Sequence, residues 1–110
     1  MVQNRATEEH MLYLFDLAHG NLNDEDIVRG FIKYYVLNGF TLGNLQDDYV
    51  FRTHYPIEGV QAGLQRLRAA LEQMAEDAKI RISNYLGIRA DPDRKALKSI
   101  RAVLSKEKSM

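Results

Sequence analysis

Val60, Leu64, Leu67, Leu71, Met74, Ala78, Ile82 and Tyr85 follow one another at spacings of 4, 3, 4, 3, 4, 4 and 3 residues. No other feature of the chain constrains its fold so strongly. Alternating steps of 3 and 4 hold apolar side chains on one face of an α-helix, and the first six positions keep the a/d register of a coiled-coil seam. The last steps drift towards the 3.6-residue period of an ordinary helix. With Pro56 ahead and Gly87 behind, the spacing predicts a helix over residues 57–86, roughly 45 Å long at 1.5 Å per residue. A globule of 110 residues has an expected radius of gyration of about 13 Å, so such a helix must traverse the whole of it. The seam has two uses, packing on helices of the same chain or on a second chain. The length favours self-association through Leu64, Leu67, Leu71 and Met74, and two-fold homodimers are the commonest oligomers.

The remaining helices are read from caps and stripes. Thr7 is placed to cap a helix over 7–19, with Glu8 and Glu9 in its first turn and Met11, Leu14, Phe15 and Ala18 at helical spacing; Gly20-Asn21 stops it. Asn23 caps a second helix over 24–38, opened by Asp24, Glu25 and Asp26. Ile27, Val28, Phe31, Ile32 and Tyr35, widened by Tyr34, Val36 and Leu37, leave only Arg29 and Lys33 to break its circumference, the pattern of a helix buried on several sides. Asp91-Pro92 opens a last helix over 92–105, whose apolar stripe is Leu97, Ile100, Val103 and Leu104, with a fraying tail at 106–110.

Residues 40–56 break the helical pattern. Gly43-Asn44 and Asp47-Asp48 are turn chemistry, and Tyr49-Val50-Phe51-Arg52-Thr53-His54-Tyr55 has the β-branched and aromatic composition of a strand. The segment reads either as a short β-hairpin, with Phe40-Thr41-Leu42 as the other strand, or as an irregular loop whose aromatics plug the core. The expected fold is therefore mainly α: one domain over residues 1–110, with four helices, one of them long and central, and an irregular or β-hairpin insertion after the second.

Formal net charge is zero, with 15 basic and 15 acidic residues, but the charges are segregated. Residues 1–78 carry six basic and twelve acidic side chains, a net of −6; residues 79–110 carry nine and three, a net of +6. On the last helix Arg94, Lys98 and Arg101 fall at i, i+4 and i+7, with Lys95 beside them. This basic face is suited to an acidic protein surface or to nucleic-acid phosphates. The preceding junction, Ile82-Ser83-Asn84-Tyr85-Leu86-Gly87-Ile88, resembles the turn of a helix-turn-helix: Ser83 and Gly87 are four apart, with Leu86 and Ile88 flanking the glycine. The resemblance implies a DNA-binding regulator whose dimer displays two basic helices. It departs at Asp93, which takes a position where the motif needs an apolar residue.

Little in the sequence points to catalysis. The chain has no cysteine, which excludes disulfides, thiol nucleophiles and Cys-based zinc sites. Asp16 and His19, with Glu9 seven residues before Asp16, share a helix face, but no His-Glu-x-x-His or similar ligand motif supports them, and His19 is better read as interacting with its helix C-terminus. His54 stands as a lone candidate base. No phosphate-cradling loop is present, so no cofactor is expected. Gly59 and Gly63 are four apart and open a close approach for another backbone. No apolar run is long enough to cross a membrane and residues 1–5 show no signal-peptide pattern, so the expectation is a cytoplasmic chain. By exclusion, the sequence reads as a non-enzymatic regulatory protein acting through helical protein–protein contacts as a homodimer, with DNA binding through Arg94, Lys95, Lys98 and Arg101 as the alternative.

Overall fold

A computed structural model describes residues 4–84 and 91–104, with side chains from Glu8 onward. Its spine is the long helix expected from the heptad spacing, α5 (Ile57–Asn84). Before it come α1 (Asn4–Ala18), α2 (Asp24–Tyr34), a 3-10 turn (Val36–Asn38), α3 (Leu42–Gln46) and α4 (Tyr49–His54); after it comes α6 (Asp91–Val103). The molecule measures 46 × 31 × 24 Å, and the 28-residue α5 sets its long axis.

The end of α1 packs on the first turns of α5, and α2 lies beside its middle. The Gly59–Gly63 pair does what its spacing permits. A methyl group on Gly59 would strike the Ala18 carbonyl, and one on Gly63 would lie 2.8 Å from the Leu17 carbonyl oxygen. The end of α1 therefore rests directly on α5 backbone. Gly20, at φ 71°, then turns the chain out of α1 in the left-handed conformation that glycine adopts without penalty. Asn23 caps α2, its side-chain oxygen accepting from Asp26 N at 2.8 Å. Two cross-links fix α2 and the turn before it: the buried Tyr13 hydroxyl donates to Ile27 O at 2.8 Å, and Arg66 donates to Leu22 O at 2.6 Å.

The segment between α2 and α5 differs from the expectation. Among the described residues it holds no β-hairpin: residues 42–46 and 49–54 are short helices, so the described chain has six α-helices rather than four. Local capping outweighs strand composition here. The Asp48 carboxylate accepts from Val50 N and Phe51 N at 2.9 and 3.3 Å, which opens α4. Asn44 reaches back to accept from Thr41 N at 2.8 Å, which closes the first turn of α3. Leu42, Leu45 and Phe51 are then fully buried among Leu14, Ile27, Phe31 and Val60. Each such side chain contributes roughly 1.5–3 kcal/mol on burial, so the insertion is an integral part of the core. For the same reason α2 is shorter than the predicted 24–38. It ends at Tyr34, and the chain passes through the 3-10 turn and left-handed Gly39 to reach Thr41. Nor is the stretch over 24–38 buried all round, because Ile32 in α2 and Leu37 in the 3-10 turn are exposed.

At the other end, α6 folds back along α5. Arg81 Nε of α5 donates to the Asp93 carboxylate at 2.8 Å, and further on Ile100, Val103 and Leu104 pack against the cluster that contains Leu67 and Leu71. Asp93, anomalous for a helix-turn-helix, is thus half of an ion pair that fastens the start of α6. The junction at 85–90 and the tail at 106–110 lie outside the described residues. The helix starts expected at 7 and 92 are observed at 4 and 91. No described helix is long and apolar enough to cross a membrane.

Candidate binding surfaces

The four heptad residues do not share one environment. Leu67 and Leu71 are 0 and 2% exposed, enclosed by other helices of the same chain. That part of the stripe is an intramolecular seam. Leu64 is half-buried, and Met74 is 39% exposed. Met74 faces Ile32, itself 38% exposed, across a groove between α2 and α5. The groove has a volume of about 460 Å³; Val28 and Ala70 line it below, and Asp24, Glu25 and Arg29 stand along its α2 edge. It exists because α2 presents more apolar side chains than α1, α3 and α5 can cover.

Arg94, Lys95, Lys98 and Arg101 are all exposed on α6, while Leu97 and Ile100 on its opposite side are buried. Arg94 pairs with Asp91 at 2.9 Å. Among the described residues Lys95, Lys98 and Arg101 enter no ion pair. Packing of the apolar stripe on α5 therefore holds three available cations on one rigid face.

The histidines divide by role. His19 Nδ1 donates to Phe15 O at 2.8 Å, which satisfies a terminal carbonyl of α1. Its expected C-terminal position is thus occupied, and among the described residues no group of three or more His, Asp or Glu side chains is placed to hold a metal. His54 is exposed and donates to Val50 O one turn back at 3.1 Å, with Thr53 its only other polar contact among the described residues. His10 carries a signal the sequence did not give, since its partners lie 25 and 38 positions away. Its Nε2 lies 2.6 Å from the Tyr35 hydroxyl, which in turn donates to Asp48 Oδ2 at 3.2 Å. A hydroxyl has one proton to give, so Tyr35 accepts from His10 Nε2–H and Nδ1 is left as the unprotonated nitrogen. The ring stacks on Tyr34 with centroids 5.1 Å apart. Burial lowers the His10 pKa from its ordinary 6.5, against a smaller upward pull from Asp48. Burial also pushes the Tyr13 and Tyr35 phenols far up, so neither is a nucleophile near neutral pH. The trio joins α1, α2 and the start of α4.

A second cavity, of about 450 Å³, opens between α3 and α5. Gln61, Gln65 and Arg68 project from α5, Gln46 comes from α3, and Leu42 and Leu64 supply apolar surface. Gln61, Gln65 and Arg68 stand at i, i+4 and i+7, a stripe legible in the sequence but overshadowed by the leucines between them. A smaller hollow of about 100 Å³ adjoins it through Gln46, Gln61 and Leu64, and adds Arg52.

The chain was compared with protein-family models, curated proteins and solved structures, and none of them matches it.

Proposed function

We propose that this chain is a non-enzymatic cytoplasmic interaction protein that works as a homodimer through helical contacts and recruits an acidic partner through α6. The observation that carries self-association is the α2–α5 groove, where Ile32 and Met74 stand exposed over an apolar floor. Leu67 and Leu71 are committed to the core, so the association surface is centred on Met74 and Ile32 rather than on the whole heptad stripe. Burying those two side chains in a second copy contributes a few kcal/mol by area alone, about 1.5–3 each when complete.

Sedimentation velocity over a wide concentration range tests this. The wild-type chain is expected to sediment as a dimer, and the pair Ile32→Glu and Met74→Glu as a monomer with unchanged helicity, because both positions are already solvent-accessible. A wild-type monomer at high micromolar concentration, or a double mutant that still dimerises, removes the dimer from the reading. By contrast, Leu67→Glu with Leu71→Glu places two carboxylates in the core and unfolds the chain, which makes it the wrong probe.

One observation favours a second reading, a DNA-binding regulator. Lys95, Lys98 and Arg101 lie together on one exposed face with no ion pair among the described residues, a suitable arrangement for phosphates.

A further inference from the structure

We propose that the cavity between α3 and α5 is a binding site for a carboxylate attached to an apolar body, with Arg68 as its anchor. α5 carries two half-buried arginines, Arg66 and Arg68. Arg66 donates to Leu22 O at 2.6 Å and lies 3.9 Å from the Asp24 carboxylate. Arg68, two residues on and similarly buried, donates to no group and pairs with no carboxylate among the described residues, although its side chain lines the cavity. A guanidinium carries five donors in a planar fork that matches a carboxylate two bonds at a time. Holding one partly out of water without a partner is unfavourable unless something arrives to accept those bonds.

The neighbours narrow the class of ligand. The exposed side-chain amides of Gln46, Gln61 and Gln65 also make no hydrogen bond among the described residues, so three amides can donate around the same space. Leu42 and Leu64 form the rest of the lining. An inorganic anion would satisfy Arg68 and leave the half-buried Leu64 wet, whereas an organic carboxylate covers both Arg68 and Leu64. The cavity of about 450 Å³ lies within the usual range for small-molecule sites. Arg52 in the adjoining hollow already lies 3.9 Å from Asp47, so Arg68 is the anchoring cation. The same chemistry is available from a free aliphatic acid or from a glutamate flanked by leucine in another protein. The site is separate from the α2–α5 groove and does not depend on the dimer.

An amide-resolved NMR titration of the full chain tests the proposal, with hexanoate and a Leu-Glu-Leu peptide as the two sources. Hexanamide, the Leu-Gln-Leu peptide and inorganic phosphate are the controls. Saturable shifts confined to residues 42–46 and 61–68 are expected from at least one carboxylate, with little response to the neutral analogues. Hexanoate binding points to a free acid, and binding of the glutamate peptide alone points to a protein partner; either supports the site. Arg68→Gln, at a position that makes no internal bond, is expected to keep the fold and weaken binding by about tenfold or more, with Arg68→Lys between the two. No saturable shift from either carboxylate, equal binding of hexanamide or phosphate, or undiminished binding by Arg68→Gln would overturn it.

Discussion

At Gly63 the requirement is for space. Replacing a helical glycine by alanine ordinarily stabilises a helix by about 1 kcal/mol. Here the new methyl group would sit 2.8 Å from Leu17 O and 2.9 Å from Leu17 Cγ. The carbonyl belongs to the end of α1, which Gly20 and the Tyr13–Ile27 bond hold in place, so α1 cannot withdraw freely. Overpacking of this kind costs about 1–3 kcal/mol and outweighs the propensity gain wherever the backbone, not a side-chain tip, must move. Gly63→Ala is expected to lower stability by about 1–2 kcal/mol in urea denaturation. Stability equal to or above wild type would show that the end of α1 yields, and the close approach would lose its role in fixing the fold.

Among the elements, α1, α2, α5 and α6 were legible because each carries its own evidence, an apolar stripe at helical spacing and a cap or stop residue at an end. The segment at 40–56 was not, because its information is split. Tyr49, Val50, Phe51 and Thr53 vote for a strand by composition, while Asp48 and Asn44 decide for helix through single side-chain bonds to nearby backbone. Those bonds outweigh a composition-based preference only once Leu42, Leu45 and Phe51 have a core to enter. Likewise the Gln61–Gln65–Arg68 stripe can be found as spacing, but its cavity needs α3, a helix that the turn chemistry of Gly43-Asn44 conceals. The His10–Tyr35–Asp48 link shows how the corrected segment is held. Because burial lowers the His10 pKa, the folded chain binds fewer protons than the unfolded chain as pH falls below about 6.5. Stability from this group is therefore full above pH 6.5 and is lost progressively as pH falls towards the folded-state pKa. Thermal unfolding from pH 7.5 to 5 is expected to show a steeper decline for wild type than for His10→Gln, which preserves a donor to Tyr35 without titrating. Parallel curves would mean that His10 titrates as it does in the unfolded chain.

For the whole molecule the governing fact is a zero net charge divided into acidic and basic parts. The exposed first turn of α2 carries Asp24, Glu25 and Asp26, whereas the exposed face of α6 carries Arg94, Lys95, Lys98 and Arg101, and α5 lies against both helices. This arrangement distinguishes the two readings of α6. A duplex is charged along its whole length, so one lying on α6 extends beyond the basic face, whereas residues 1–78 of the chain carry a net charge of −6. An acidic patch the size of one helix face meets the cations alone. The three α6 cations that enter no ion pair among the described residues contribute a log–log salt slope of only about −3. Fluorescence anisotropy of a random duplex at low and then moderate salt is therefore expected to show no saturable binding. An acidic helical peptide is expected to bind wild type and to be released by Lys98→Glu with Arg101→Glu. Micromolar duplex binding that the same double mutant abolishes would make phosphates, not a carboxylate-rich protein surface, the partner of α6. Peptide binding unaffected by the double mutant would remove α6 from the interaction surface altogether.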